Sequence, residues 1–249
     1  MPTFVVGDVH GHAERLAALL RDAGLVDRNL TWSGADARLW LMGDLVDRGP
    51  DGIGAVDLVM RLQREGDVRC LLGNHEADIL GVHRFAQENC GVPELTFRAV
   101  WEMNGGLESD LVRLRPEHIA WMEALPAVAR DGGWLLVHSD TDRYVDYGRT
   151  VGEVCNAVSA VVSTGDPIAF GRLLEGLTDR GAFADPLRLK RLLATLGGER
   201  VVHGHTPIWY AAGTDPESVR KPLEYADGRA LNVDHCLYAG GRGFVSELR

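Results

Sequence analysis

The sequence contains no long apolar run. Nowhere in its 249 residues does it reach the roughly 18 consecutive apolar residues that a membrane-spanning helix needs. The segment from Met1 to Asp8 has neither the basic start nor the long apolar core of a signal peptide. We therefore expect a cytoplasmic protein without a membrane partner.

Cysteine is scarce, and positive charge is outweighed by negative charge. No two cysteines form a CxxC pair, which argues against a zinc knuckle and a dithiol redox motif. The formal net charge of −10 argues against a general nucleic-acid-binding protein, because such proteins need a basic surface to neutralise phosphates. Carboxylates that bind metal cations would account for part of this charge. The four cysteines are Cys70, Cys90, Cys155 and Cys236.

The chain also lacks a Ser- or Pro-rich linker, an internal repeat and a low-complexity segment. Its length is sufficient for one large domain with a buried core. Residues 77–130 and 150–196 are predicted to be mostly helical, with no break between separate cores. We expect a single domain over residues 1–249, with a helical insertion at about 77–130.

Short apolar runs repeatedly end in a polar cluster. Each run is bounded by glycine, aspartate or histidine, which is typical of a buried strand. Helical patterns at 12–23 and 54–64 separate the first three runs, and this βαβαβ alternation predicts an α/β domain. In such sheets, ligands bind beyond the carboxyl ends of the strands. The runs are 3–6, 38–42, 68–72, 134–137 and 200–202, and the polar residues that follow them are Asp8, Asp44, Asn74, His138 and His205. Near the end of the chain, the segments 230–233 and 244–248 are also predicted to be strands.

The residue types at these strand ends are those of a metal site. Aspartate, histidine and a neutral amide oxygen suit manganese, iron or zinc better than a soft thiolate metal such as copper(I). Two such ions about 3.5–4 Å apart can hold a phosphate group and activate a water molecule. A turn-capping role for Asp and Asn is the alternative for each position taken alone, but it is a poor explanation of the whole set.

Three segments together resemble the signature blocks of the phosphoprotein phosphatase branch of calcineurin-like metallophosphoesterases, of the bacterial serine/threonine phosphatase type. They are Gly7-Asp8-Val9-His10-Gly11, Gly43-Asp44-Leu45-Val46-Asp47-Arg48-Gly49 and Gly73-Asn74-His75-Glu76. His138 and the segment Val202-His203-Gly204-His205-Thr206-Pro207 are similar to the two later histidine blocks. The resemblance implies an α/β (α+β) fold with a central β-sandwich flanked by helices and a helical cap insertion.

The resemblance also implies a role for each matching residue. Two divalent ions are expected, with Mn²⁺ favoured and iron or zinc as alternatives, and Asp44 would bridge them. A hydroxide between the ions would attack phosphorus, while His75, held by Asp47, would protonate the leaving oxygen. Arg48 would bind the phosphate, and Arg180 is similar to the position of a second phosphate-binding arginine, although a surface arginine is an equal alternative there. The first ion would take Asp8, His10 and His205, and the second would take Asn74 and His138.

The sequence departs from the family pattern after two of these blocks. His138 is followed by Ser139-Asp140 where Ala-Gly is common, so Asp140 is a candidate for supporting a ligand. Near the end of the chain, Asp234 is followed by His235 where many bacterial relatives have a small residue. The segment 101–106 resembles another motif of bacterial members, with a helix end closed by glycine as the alternative.

The expected activity is hydrolysis of a phosphate monoester, as in serine/threonine protein phosphatases, with a phosphoprotein or small phosphate ester as the partner. The alternative is a symmetrical dinucleoside polyphosphate hydrolase of the same family. A non-catalytic regulator is a remote alternative, because the full set of ligands and the acid are present. Residues 77–130 would determine the substrate, and they contain no motif for a base or a peptide.

Overall fold

The computed structural model describes all residues from Met1 to Arg249 as two β-sheets surrounded by ten α-helices. The strands, numbered in chain order, are β1 (Thr3–Val6), β2 (Arg38–Leu41), β3 (Asp67–Cys70), β4 (Val128–Asp131), β5 (Trp134–Val137), β6 (Arg200–His203), β7 (Leu223–Tyr225), β8 (Ala230–Asn232) and β9 (Ser246–Leu248). The helices are α1 (Ala13–Asp22), α2 (Gly52–Glu65), α3 (Asn74–Phe85), α4 (Phe97–Met103), α5 (Glu108–Arg113), α6 (Pro116–Glu123), α7 (Val151–Val162), α8 (Pro167–Thr178), α9 (Pro186–Leu196) and α10 (Ile208–Ala212).

The two sheets contain four and five strands. The first has the order β3-β2-β1-β9, in which only β9 is antiparallel to its neighbour. The second has the order β4-β5-β6-β8-β7, with β5, β6 and β8 parallel and the two edge strands antiparallel. The carboxyl ends of the parallel strands therefore lie together at one edge of each sheet, where the candidate ligands follow them.

The sheets pack face to face as a sandwich. Alternate residues of each strand point into the space between the sheets, and the others point towards the helices. In β1, Val5 belongs to the core between the sheets, whereas Val6 belongs to the larger core under the helices. In β5, Leu136 and Val137 divide in the same way. Both faces of these strands are covered, which explains why their sequences are continuously apolar instead of alternating.

The helices that follow β1 and β2 are built from local signals. The carboxylate of Asp51 accepts a hydrogen bond from the backbone N–H of Gly54 and so caps the start of α2. In α1, Leu16 and Leu20 lie four residues apart on one face, and both are buried in the larger core. The candidate ligands Asp8, His10 and Asp44 lie in the loops between these strands and helices.

The predicted helical regions are helical in the structure. Helices α3 to α6 lie between β3 and β4, and α7 to α9 lie between β5 and β6. The sequence prediction missed two strands, β4 and β7, which are the edge strands of the second sheet. Their sequences, Val128–Asp131 and Leu223–Tyr225, are short and mixed in polarity, so no apolar run marks them. None of the helices combines the length and the apolar composition that crossing a membrane would require.

Candidate active site

Six candidate metal ligands converge beyond the strand ends. Around the carboxylate of Asp44, the Nε2 atoms of His10 and His138 lie 3.7 Å and 3.3 Å from its oxygens. The same His138 atom lies 3.0 Å from Oδ1 of Asn74. The Asp8 carboxylate accepts hydrogen bonds of 3.1 and 3.0 Å from the backbone N–H of His205. All six side chains are buried: Asp8, His10, Asp44, Asn74, His138 and His205.

Backbone carbonyls orient the rings of three histidines. Nδ1 of His10 donates to the Val46 carbonyl at 3.2 Å, and Nδ1 of His138 donates to that of Met42 at 2.8 Å. Each bond directs the opposite nitrogen, Nε2, towards Asp44. His205 is turned the other way, because its Nε2 contacts the Thr178 carbonyl at 3.1 Å. Hydrogen bonding of one ring nitrogen commonly fixes the tautomer of a metal-binding histidine.

Asp44 is the residue that the potential ligand groups share. One group consists of His10, Asp44 and His75, and another of Asp44, His138 and His205, with the ligand atoms of each group within 4.8 Å of one another. Asp44 thus lies between the two groups, as expected of a carboxylate that could bridge two ions. The second group pairs His205 with His138, whereas the sequence analysis assigned these histidines to different ions.

Several site residues have unusual backbone conformations. His10, Asp44 and His205 have φ angles of 43°, 52° and 62°, in the left-handed region that non-glycine residues rarely adopt. Asp47 and Arg48 follow at 66° and 63°. Such conformations cost of order 1–3 kcal/mol each and cluster at functional sites. The turns after β1, β2 and β6 therefore hold these side chains inward at the expense of local backbone stability.

Two glycines allow the polypeptide to pass very close to the carboxylates. A Cβ atom on Gly204 would lie 2.1 Å from Oδ1 of Asp8, and one on Gly73 would lie 2.2 Å from Oδ1 of Asp44. Both distances are far below van der Waals contact. The glycines that precede Asn74 and His205 are thus needed because a ligand side chain occupies the space of their missing Cβ atoms.

The imidazole of His75 is held by a carboxylate and directs its free nitrogen into the site. Nδ1 donates to Oδ2 of Asp47 at 2.8 Å, and the buried Nε2 has no hydrogen-bond partner. That atom lies 4.0 Å from Oδ2 of Asp44. Burial alone would lower the pKa of His75, but the carboxylates of Asp44 and Asp47 raise it above its ordinary value. The arrangement presents the free nitrogen of His75 to the cluster.

The segment 101–106 supports the site from α4. The indole N–H of Trp101 lies 3.0 and 3.1 Å from the two carboxylate oxygens of Asp47. The carbonyl of Asn104 accepts from Nε of Arg48 at 3.1 Å, and that of Gly105 accepts from its backbone N–H at 2.9 Å. The segment does end a helix, and it also holds Asp47 and Arg48, which lie within the Asp44 block.

The two candidate arginines both reach histidines of the cluster. Nη1 of Arg48 lies 3.0 Å from Nε2 of His10, and Nη2 of Arg180 lies 3.2 Å from Nε2 of His205. Arg48 is half-buried, whereas Arg180 is exposed. The structure thus brings both guanidinium groups to the rim of the cluster.

Asp140 connects the turn of Arg180 to the loop of His205. Its Oδ1 accepts from the hydroxyl of Thr206 at 2.6 Å, and its Oδ2 accepts from the backbone N–H of Gly181 at 2.8 Å. A small residue at position 140 could not make these bonds. The departure from the family pattern at this position therefore has a clear structural role.

Several residues that shape the site are not among those predicted from the sequence. Both carboxylate oxygens of Glu76 accept backbone N–H groups, from Gly73, Asp44 and Leu45, and so join the second block to the third. The ring of Tyr238 lies beneath the Arg48 guanidinium, with its centroid 4.6 Å from Cζ. Glu76 lay within a recognised block, but no local signal in the sequence singled out Tyr238.

His235 does not join the cluster. It is fully buried, its two ring nitrogens have no hydrogen-bond partner, and its ring packs edge-on against Phe244. Burial, assisted by the nearby Arg15, lowers the pKa of His235 to about 3. The residue is therefore a neutral core side chain.

The electrostatics of the cluster are those of a cation site. Burial, together with Asp234 and Asp44, raises the pKa of Asp8 well above its ordinary value. Burial would also raise the pKa of Asp44, but the facing imidazoles of His138 and His75 hold it well below that value. Divalent ions would neutralise these closely spaced carboxylates, and the oriented nitrogen and oxygen donors suit them.

The model of the calcineurin-like phosphoesterase family matches residues 1–239. The chain belongs to the calcineurin-like phosphoesterase family. It has that family's fold, the calcineurin-like metallophosphoesterase fold. The family uses divalent metal ions, and the residues around Asp44 are the candidate ligands in this member.

The sequence is also similar to curated relatives. One is a symmetrical bis(5'-nucleosyl)-tetraphosphatase of Neisseria gonorrhoeae, 30% identical over 146 residues that cover 56% of this chain and 43% of the relative. Another protein of that name, from Enterobacter, is 42% identical over 83 residues, or 33% of this chain and 26% of the relative. The matches thus span less than half the length of these relatives.

Among solved structures, a cold-active protein-tyrosine phosphatase of a psychrophilic Shewanella superposes with a TM-score of 0.74. The alignment covers 100% of this chain and 75% of that one at 18% sequence identity. The superposition supports a shared fold, but a sequence identity this low carries no information on the substrate.

Proposed function

We propose that this protein hydrolyses a dinucleoside polyphosphate in a metal-dependent reaction at the Asp44 cluster. The observation that carries the hydrolytic part is the position of Asp44 between two groups of potential ligands, beside the unpartnered Nε2 of His75. The relatives named as symmetrical bis(5'-nucleosyl)-tetraphosphatases support the choice of substrate. This choice favours the alternative of the sequence analysis over its main expectation of a phosphate monoester.

The ligands for two divalent ions would be those expected from the sequence, and manganese is the proposed metal because of the mixed oxygen and nitrogen donors. When bound, the ions supply an activated water and positive charge next to the phosphate. The geometric grouping suggests that His205 and His138 lie closer to a common ion than the sequence analysis assumed. The proposed ligands are Asp8, His10, Asp44, Asn74, His138 and His205.

The arginines and His75 would carry out the remaining tasks. The guanidinium groups of Arg48 and Arg180 approach the cluster from its rim, where each can donate paired hydrogen bonds to phosphate oxygens. His75 would donate its Nε2 proton to the leaving oxygen. Asp47 would keep the ring in the required orientation, because it holds the opposite nitrogen at 2.8 Å.

A substrate comparison tests the proposal. Metal-free protein, reconstituted with manganese, is assayed with diadenosine tetraphosphate, a phosphoserine peptide and p-nitrophenyl phosphate, and the products are separated by anion exchange. We expect the highest kcat/KM for diadenosine tetraphosphate, with ADP as the sole nucleotide product of symmetrical cleavage. A higher kcat/KM for the peptide would instead support the protein-phosphatase alternative. Inactivity towards all three substrates, despite bound metal, would contradict an enzymatic function.

A further inference from the structure

A cleft of about 870 Å³ opens beside the candidate active site, between the helical insertion and α8. Its volume lies within the range of roughly 300–1,000 Å³ that is typical of small-molecule sites. Apolar side chains of Val92, Val100 and Ile168 line it, together with polar groups of Asp78 and Asn104. Another hollow of about 600 Å³, lined by residues of α1 and α2, contains none of the candidate site residues.

Two walls of this cleft are connected to the site by hydrogen bonds. Asn104, on one wall, accepts from Nε of Arg48 through its carbonyl. Thr178, at the end of α8, contacts Nε2 of His205 through its carbonyl at 3.1 Å. A group held in the cleft would therefore lie next to a phosphate bound by the two arginines.

The helix α3 provides a second connection. Asn74 and Asp78 are four residues apart, so they lie on the same face of the helix, about 6 Å apart along its axis. Asn74 is a candidate ligand, whereas Asp78 lines the cleft. The cleft thus begins about one helical turn from the cluster.

Asp78 has an unused hydrogen-bond acceptor. Its carboxylate is only 1% exposed, and Oδ2 accepts from the side-chain amide of Asn104 at 3.2 Å, but Oδ1 has no partner. Leaving a buried polar atom unpaired costs free energy, so this oxygen favours a ligand with an N–H or O–H donor. A carboxylate repels a phosphate, so the part of the substrate next to Asp78 must be its uncharged, donor-bearing portion.

We propose that this cleft binds a nucleoside portion of the substrate, with Oδ1 of Asp78 accepting a hydrogen bond from the nucleobase or the ribose. Val92, Val100 and Ile168 would pack against the flat base. Val92 and Ile168 are 46% and 60% exposed, so a ligand can reach them without rearrangement of the core. This inference rests on the proposed function, and it names the residues that would select a nucleotide.

Narrowing the cleft tests the proposal without altering the cluster. In Ile168→Trp, a larger ring would occupy the space assigned to the base, and because the residue is exposed we expect normal folding. Leu187→Trp is the matched control, since Leu187 is 76% exposed on α9 and does not line the cleft. We expect Ile168→Trp to raise KM for diadenosine tetraphosphate by about tenfold or more, the scale on which one poorly fitting group is discriminated. In Ile168→Trp, activity on p-nitrophenyl phosphate, which has no nucleoside, should fall far less than activity on diadenosine tetraphosphate. In Leu187→Trp, neither activity should change.

Calorimetric binding of ADP provides a readout that does not depend on turnover. Ile168→Trp should weaken ADP binding, whereas Leu187→Trp should not. Equal loss of activity on both substrates in Ile168→Trp, or unchanged ADP binding, would overturn the proposal. If the variant instead impaired only hydrolysis of a phosphoserine peptide, the cleft would bind a peptide and the nucleoside assignment would be wrong.

Substrate analogues can show whether the ribose or the nucleobase donates the hydrogen bond to Asp78. Asp78→Asn can retain the bond to Asn104 while presenting an N–H group to the cleft in place of an acceptor. If the ribose is the donor, this variant should no longer prefer diadenosine tetraphosphate to its 2'-deoxyribose analogue, as measured by kcat/KM. If the base is the donor, the variant should no longer prefer diadenosine tetraphosphate to its inosine analogue. If both preferences were unchanged in Asp78→Asn, Asp78 would not be the acceptor of a hydrogen bond from the nucleoside. ADP binding that is sensitive to Ile168→Trp would support the cleft even if hydrolysis itself were not detected.

Discussion

The indole N–H of Trp101 lies within hydrogen-bond distance of both carboxylate oxygens of Asp47, at 3.0 and 3.1 Å. Asp47 in turn accepts from Nδ1 of His75, and its backbone N–H donates to Asp110. All of these groups are buried. A tryptophan of the helical insertion thus orients the proposed acid through a carboxylate that belongs to the core of the site.

Replacing Trp101 with phenylalanine should remove this support while retaining most of the packing. We expect kcat to fall by roughly 10- to 100-fold with little change in KM, because a hydrogen bond to a charged group contributes roughly 1.5–3 kcal/mol. The loss should be smaller for p-nitrophenyl phosphate than for an alkyl phosphate, since a good leaving group needs less protonation. Trp121→Phe is the control, because it removes an indole bond to Gln63 away from the site. A uniform loss across leaving groups would indicate a purely structural role.

His75→Asn should lower the rate for an alkyl phosphate by roughly 10²–10⁴, the usual contribution of a positioned acid. Metal content, measured by plasma mass spectrometry, should remain that of the unaltered protein, because His75 is not among the proposed ligands. The defect should again shrink with p-nitrophenyl phosphate. Loss of one bound ion would mean that His75 joins His10 and Asp44 as a ligand, as their spacing also permits.

Asp44→Asn should reduce metal occupancy at both positions, because Asp44 is shared by the two ligand groups. Chelator treatment of the unaltered protein should abolish activity, and added manganese should restore it best. Asp36→Asn, at an exposed position, controls for the loss of one charge. Two tightly held ions in the Asp44 variant would exclude the bridging role.

Arg48→Ala and Arg180→Ala should each lower kcat/KM without loss of metal. Each lost contact with phosphate should cost about 1.5–3 kcal/mol. If both arginines act on one phosphate, the effects in the double variant should not be additive. Arg191→Ala, which changes an exposed arginine on α9, is the control. Unaltered kinetics for Arg180→Ala would limit phosphate binding to Arg48.

The buried, neutral His235 should make the protein less stable in acid. Its pKa is lowered to about 3 in the folded state, whereas that of an unfolded histidine is about 6.5. As the pH falls, the histidine of the unfolded chain therefore binds a proton at a higher pH than that of the folded protein does. The free energy of unfolding consequently falls as the pH drops from about 6.5 towards 3. At pH 5 the loss amounts to about 2 kcal/mol, at 1.36 kcal/mol per pH unit. Measured by urea denaturation, the free energy of unfolding should fall less between pH 7.5 and pH 5 in His235→Leu than in the unaltered protein. An equal fall in both proteins would contradict this assignment.

The sequence by itself determined the strands and the polar residues that follow them. Apolar runs covered on both faces and ended by Gly-Asp, Gly-Asn or a histidine gave strong local signals, so β1, β2, β3, β5 and β6 were all predicted. The three blocks could also be related to a known family because their residues are contiguous. The edge strands β4 and β7 were missed, since pairing with a neighbour, and not an apolar sequence, makes them strands.

Only the tertiary structure decided which distant residues support the site. Trp101 reaches Asp47 across 54 positions of sequence, and Asp140 joins two loops that follow it by 41 and 66 positions. The relevant bonds depend on how helices pack against the sheets, and no local pattern records that packing. The same holds for Asp78, whose unpaired oxygen gains meaning only from the cleft formed by α4 and α8. Local sequence fixed the chemistry of the strand ends, whereas long-range packing determined the orientation of the side chains and the space beside them.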